Sequence, residues 1–339
     1  MIISRTPFRI SFFGGGTDYP VWYRENSGAV LSTTIDKYCY ISCRYLPPFF
    51  EHKYRISYSR IDMVREIEEI SHPAVKEVFK FMDIEEGMEI HHDGDLPART
   101  GLGSSSSFTV GLIQSLYALK GKMVTKEQLA KDAIYVEQEL IKENVGSQDQ
   151  IATAYGGFNR INFFHDHSID VKPLIMSSER QNELQNNLML CFTGFSRYAS
   201  DIAKEQIKIT QKKRKELSKI HQMVDEAISI INSDNINIEE FGKLLHESWK
   251  LKRSLTDKIS NSKVDKIYDI AYSSGASGGK LLGAGGGGFM IIFARPEIQQ
   301  KIKEKLKGLL IVPFQFETMG SQIIVYQPDQ TYSINESGA

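Results

Sequence analysis

Leu96-Pro-Ala-Arg-Thr-Gly-Leu-Gly-Ser-Ser-Ser-Ser107 joins a run that reads as a strand, Met88 to His92, to a run that reads as a helix. The helical run carries apolar residues at Phe108, Leu112, Ile113 and Leu116, one face at a period near 3.6. The glycines permit tight turns, and the serines leave successive backbone N–H groups pointing outward. At a helix N-terminus those groups and the macrodipole form an anion site suited to a triphosphate. Serine hydroxyls there also reach a Mg²⁺ that bridges the phosphates. A merely flexible linker would not lead into so regular an apolar period.

Neither standard nucleotide fingerprint accounts for this loop. Gly-x-x-x-x-Gly-Lys-[Ser/Thr] does not occur, so it is not a P-loop. A formal Gly-x-Gly-x-x-Gly stands at Gly283, Gly285 and Gly288, but it precedes an expected strand instead of opening a helix, which fails the dinucleotide context. Two further glycine-rich segments flank the central one in sequence. Pro7-Phe-Arg-Ile-Ser-Phe-Phe-Gly-Gly-Gly-Thr-Asp18 ends a strand in three glycines and a carboxylate. There Asp18 is placed to bond sugar hydroxyls, and Arg9 to neutralise a phosphoryl group or orient a carboxylate. Gly275 to Gly288 holds eight glycines in fourteen residues, with Lys280 inside it.

The surrounding chain fits a soluble two-domain protein. At 339 residues it exceeds the roughly 100–200 typical of one domain. A net charge of -1 offers no basic field for nucleic acid or an anionic membrane. Lys212 to Lys215 reads as a solvated helix face. Three cysteines, Cys39, Cys43 and Cys191, make no disulfide framework and no zinc spacing. No apolar run reaches the ~18 residues of a membrane helix, and no signal-peptide core opens the chain, so a cytoplasmic protein is expected. Strands are predicted from Phe8 to Phe13, Ala29 to Leu46, Phe158 to Phe164 and Met189 to Phe192, and a helix over Pro73 to Met82. Thr125 and Gln128 suit a capping box for a helix with Leu129, Ala133, Val136 and Leu140 on one face. Ser200 to Tyr272 reads as helices broken at Asn232 to Asn237. Strand Phe289 to Phe293, helix Glu297 to Leu306 and strands near Leu309 to Phe316 and Ile323 to Tyr326 follow. Phe289 to Phe293 is expected to pair with one of those last two.

Taken in order and spacing, Pro7 to Asp18, Leu96 to Ser107 and Lys280 to Gly288 resemble motifs one, two and three of the GHMP kinase superfamily, across nearly the whole chain. The resemblance implies an α+β, two-domain GHMP kinase fold, N-terminal part ribosomal-S5-domain-2-like and C-terminal part ferredoxin-like, with an ATP-binding domain at 1–180 and a second domain at 181–339. It implies ATP and Mg²⁺ as cofactors. The nucleotide would lie on Pro97, Gly101, Leu102, Gly103, Ser104, Ser105, Ser106 and Ser107, with Ser105 and Glu137 holding the metal. Of the two acidic residues on the following helix, Glu137 flanks the apolar face and Glu139 points to solvent, so Glu137 is chosen. Asp149, twelve residues further in Gly146-Ser-Gln-Asp-Gln150, would lie against the acceptor hydroxyl as base or orienting charge, with Arg9 beside it. Gly15, Gly16, Asp18, Gly285 and Gly286 would contact substrate.

Phe-Phe-Gly-Gly-Gly-Thr-Asp-Tyr, Gly-Ser-Gln-Asp-Gln and Thr193-Gly-Phe-Ser-Arg197 most resemble bacterial heptose 7-phosphate kinases. That implies phosphorylation of the anomeric hydroxyl of a sugar phosphate to a 1,7-bisphosphate, for nucleotide-activated heptose and surface polysaccharide. Arg197 is then the expected phosphate clamp, since a buried dianion needs a cationic partner. The rival readings are an anomeric kinase of free galactose or fucose and an inactive GHMP-like binding module. A nucleotide-dependent decarboxylase is disfavoured by Thr17-Asp18. The expected partner is a small sugar phosphate, neither nucleic acid nor membrane, in a monomer or homodimer.

Overall fold

The computed structural model describes residues 1–195 and 199–328, the side chains of 199–201 apart. In chain order the elements begin with β1 (Ile2–Phe13), α1 (Pro20–Asn26), β2 (Gly28–Tyr45), β3 (Tyr54–Ser57), β4 (Ile61–Val64), α2 (Pro73–Phe81), β5 (Met88–Gly94) and α3 (Ser104–Leu119). Then come α4 (Lys126–Tyr135), a π turn over Val136–Leu140, α5 (Gln148–Tyr155), β6 (Phe158–Phe163), β7 (Ile169–Pro173), α6 (Ser178–Asn186) and β8 (Leu188–Phe192). The last part holds α7 (Ala199–Ile209), α8 (Arg214–Asn232), α9 (Glu239–Leu255), α10 (Ser262–Ser273), β9 (Gly278–Leu281), β10 (Phe289–Phe293), α11 (Pro296–Lys305), β11 (Leu310–Val312), β12 (Phe316–Glu317) and β13 (Gln322–Tyr326).

Two sheets organise the molecule. The larger runs β13-β1-β2-β5-β3-β4, and β2 is long enough to give successive stretches of its second edge to β6, β12 and β5. Its pairings are antiparallel except β3 with β5. A register shift falls between Pro7 and Phe8, where a residue without an N–H interrupts the ladder next to Arg9. The smaller sheet runs β11-β8-β10-β9, all antiparallel. Numbered along the chain, its strands lie four-one-three-two with helices after the first and third, the ferredoxin-like arrangement. The fold is therefore α+β, as the motifs implied.

Helix α3 is apolar nearly all round because it is sandwiched: it lies on β1 and β2, and Val110, Leu112, Ile113 and Leu116 are fully buried. Phe241 of α9 meets Phe12 and Phe13 edge-on at 5.4 and 5.1 Å and Phe293 at 6.1 Å, so an aromatic seam joins the two sheets. The three cysteines are buried thiols outside any disulfide.

Three local expectations need correction. Strand β10 pairs with β8 and β9, not with either of the last strands; β11 pairs with β8, while β13 returns to the outer edge of β1. The segment expected as a separate unit from 181 thus gives β12 and β13 to the first sheet. At the start of α4 only half the capping box forms: Thr125 accepts the N–H of Gln128 at 3.1 Å, but the Gln128 side chain turns to Asp132 at 2.7 Å.

Candidate active site

Gly103 caps α3 in the left-handed region, with φ of 74°, where the missing Cβ avoids strain. A Cβ there would stand 3.1 Å from Arg9 Cγ and 3.5 Å from Asp149 Oδ2, so the loop closes directly over that pair. The first intrahelical bond runs from Ser107 N to Gly103 O at 2.8 Å, which leaves the preceding amides of the turn directed outward. The four serines part ways at helical steps. Ser104 accepts the N–H of Arg99 at 3.1 Å, and Ser105 is exposed. Ser106 donates to Glu137 Oε2 at 2.9 Å, and Ser107 is spent on the carbonyls of Pro7 and Gly103. Glu137 therefore meets Ser106, not the Ser105 expected beside it; in a run of identical residues nothing in the sequence sets the helical phase. Leu102 is core, its carbonyl accepting from Arg9 N at 3.0 Å, and Pro97 is exposed, its carbonyl taking the Thr100 hydroxyl.

The π turn carries Glu137 inward and Glu139 outward. π turns of this kind recur at functional sites. Glu137 is 1% exposed; Ser106 and Gln150 both donate to its Oε2, and its Oε1 has no hydrogen-bond partner. Burial pushes the carboxyl up to about 7, helped by neighbouring Glu143 and opposed in part by Thr109, Gln150 and Ser106. An unsatisfied buried carboxylate oxygen beside a serine and a phosphate-type loop fits a hard cation that draws its other ligands from phosphate and water. No cluster of three His, Cys, Asp or Glu exists among the described residues, so such a cation would depend on those outside ligands.

On the other side of Gly103, Arg9 grips Asp149 with both ends of its fork, Nε to Oδ1 at 2.8 Å and Nη2 to Oδ2 at 2.7 Å, and gives Nη1 to the carbonyl of Gly101 at 2.7 Å. Arg9 is shut away at 4% exposure while Asp149 keeps 26%. Deeper lies Asp18, 2% exposed, taking the Gly16 N–H at 2.9 Å. Burial raises its carboxyl; the charge of Asp149 adds to this, while the bonds from Gly16 and Gln148 oppose it. Gly146 leaves the space this carboxylate fills, since a Cβ there would lie 1.8 Å from Asp18 Oδ2. Gly15 faces Ser11 and Gln148, and Gly16 faces Leu217.

The third glycine segment closes against the loop before α3 backbone to backbone. A Cβ on Gly101 would lie 2.4 Å from Leu282 O, one on Gly283 2.5 Å from Gly101 Cα, and Phe289 N donates to Thr100 O at 3.0 Å. Gly285 and Gly286 turn instead to the neighbouring turn, Gly286 N donating to Ile259 O at 2.8 Å and its carbonyl accepting from Asn261 at 3.0 Å. As placed, their backbones serve packing. Arg197 lies outside the described residues. Sequence reasoning missed Ser106 as the partner of Glu137, the glutamines at 148 and 150 that flank Asp149, and Lys252. The last had a signal: half-buried Lys252 falls on the stripe of α9 that Phe241, Leu245, Trp249 and Leu255 bury.

The family model for the GHMP kinases N terminal domain matches residues 67–157, and that for the GHMP kinases C terminal matches 227–311. The chain is 29% identical over 323 residues to the D-glycero-alpha-D-manno-heptose 7-phosphate kinase of Campylobacter jejuni, covering 90% of this chain and 93% of that one. It is 32% identical over 254 residues to the mevalonate kinase of Methanocaldococcus jannaschii, covering 70% of each. A crystal structure of a D-glycero-D-manno-heptose 1-phosphate kinase from Bacteroides thetaiotaomicron superimposes with a TM-score of 0.77 at 22% identity, covering 98% of this chain and all of that one. No helix among the described residues is long and apolar enough to cross a membrane.

Proposed function

This chain belongs to the GHMP kinases, and from that premise we propose that it transfers the γ-phosphoryl group of ATP to the anomeric hydroxyl of D-glycero-D-manno-heptose 7-phosphate, giving the 1,7-bisphosphate that leads to nucleotide-activated heptose. The observation that carries the reading is the bidentate Arg9–Asp149 pair opening under the Gly103 turn, with Asp18 beyond it. A fixed carboxylate between the glycine turn at the start of α3 and the carboxylate of Asp18 supports this reading. Similarity to a heptose 7-phosphate kinase over most of both chains supports the choice of sugar.

Phosphoryl transfer asks the protein mainly for positioning and charge compensation. The amides of the first turn of α3 receive the phosphates. Ser106 and Glu137 would hold Mg²⁺, which supplies neutralisation of the phosphate oxygens. Asp149 accepts the hydrogen bond of the acceptor hydroxyl and takes up its proton, or orients it, as that oxygen bonds to the γ-phosphorus and the bond to the β-phosphate oxygen breaks. Both Asp149 oxygens keep a lone pair free of Arg9 for this role. Asp18 and Gln148 receive ring hydroxyls, and Arg197 receives the distal phosphate.

A coupled ADP-release screen over free sugars and sugar phosphates tests the proposal. Turnover should be greatest with heptose 7-phosphate. A preference for free galactose or fucose would refute the substrate and leave a sugar kinase.

A further inference from the structure

Two lysines, Lys280 buried and Lys252 half-buried, lie at this site, and among the described residues neither has a carboxylate within ion-pair distance. Lys280 of β9 reaches across to the carbonyl of Phe12 at 2.8 Å, pinning the third glycine segment to the end of β1. Lys252 of α9 donates to the carbonyls of Leu281, at 3.2 Å, and Gly283. Gly283 is the residue stacked on Gly101, and the Gly101 carbonyl holds Arg9, which holds Asp149. A continuous line of contacts thus joins the Lys252 ammonium to the acceptor carboxylate. The charges facing Lys252 are Arg9 from β1, Lys280 from β9 and Asp18 from the turn after β1, with Asp149 of α5 beyond Arg9. Three basic groups thus confront two carboxylates; burial holds Lys280 well below and Lys252 below the ordinary lysine range, and it raises Asp18.

We propose that Lys252 is a positioning residue for phosphoryl transfer: its ammonium holds the third glycine loop against the phosphate loop and adds the charge that the incoming phosphate groups require. This rests on the kinase reading above. Burial lowers Lys252 to about 7, and the nearby Arg9 adds to that, so the free enzyme loses this charge as pH rises through neutrality, while bound anions restore it. Glu137 acts in the opposite sense, since metal binding needs its ionised form and gains as pH rises.

The test compares the full-length wild type with Lys252→Met and Lys252→Arg from pH 6 to 9, with thermal melts to show that each variant folds. Lys252→Met should lower kcat thirtyfold or more at pH 6.5 while changing the KM for ATP by less than threefold. In the wild type, kcat/KM for the sugar phosphate should fall above pH ~7 and kcat only at higher pH; in Lys252→Arg that alkaline fall should disappear. A purely structural role would give a loss equal at every pH and leave the alkaline fall in place with Arg, which would overturn the proposal. Lys252→Met within threefold of wild type throughout would overturn it too. A wild type that releases no ADP with any acceptor would instead refute the kinase reading and the proposal with it.

Discussion

Glu137→Gln should make the metal-free protein more stable and at the same time nearly inactive. The buried carboxyl sits at about 7 against an ordinary 4.5, so the fold favours its protonated form. That preference supports stability fully below about 4.5, is lost as pH rises, and above 7 leaves a constant penalty. Lifting the carboxyl from 4.5 to about 7 amounts to roughly 3 kcal/mol against the fold above neutrality. Glutamine keeps a carbonyl oxygen for the Ser106 and Gln150 donors and carries no charge to bury. In metal-free buffer the variant should melt about 5 °C above wild type at pH 8, with the gap closing towards pH 4.5. Adding Mg²⁺ and ATP should raise the melting temperature of the wild type more than that of the variant. Glu139→Gln, on the outer face of the π turn, should change neither stability nor turnover appreciably. A Glu137→Gln protein less stable than wild type at pH 8, or a gap independent of pH, would refute the reasoning.

Asp149→Asn should lower kcat by roughly 10²–10⁴-fold with little change in the KM for ATP if the residue takes the proton, and steady-state kinetics that show a loss below tenfold would leave it only an orienting role. Gly103→Ala forces a Cβ into a left-handed position 3.1 Å from Arg9 Cγ, so it should cost about 1–2 kcal/mol in chemical denaturation and depress kcat through the displaced Arg9–Asp149 pair. Arg197→Ala should raise the KM for the sugar phosphate tenfold or more in the same assay and leave the KM for ATP alone, because charge-assisted bonds to a phosphate contribute roughly 1.5–3 kcal/mol each.

The elements of this fold were largely legible because periodicity reports which residues face inward. The three glycine loops announced themselves through their spacing, and the contacts of Gly101 and Gly283 show the second and third meeting backbone to backbone. What periodicity does not report is the partner. The pairing of β10 with β8, and the return of β13 to β1 from more than 300 residues away, depend on how the layers stack and not on the composition of either strand. The same limit applies inside the site. Which serine of four meets Glu137 depends on where α3 begins, and Lys252 reads as a solvated helix lysine until the stripe it belongs to is seen to be buried.

The most direct test of the central claim is to follow one reaction by ³¹P and ¹H NMR, with the purified protein, ATP, Mg²⁺ and D-glycero-D-manno-heptose 7-phosphate. The account predicts a new phosphate signal coupled to the anomeric proton, the 7-phosphate signal retained, and one ADP formed per sugar consumed. A phosphate appearing on any other hydroxyl, or an unchanged heptose 7-phosphate in a preparation that phosphorylates a free sugar, would contradict it.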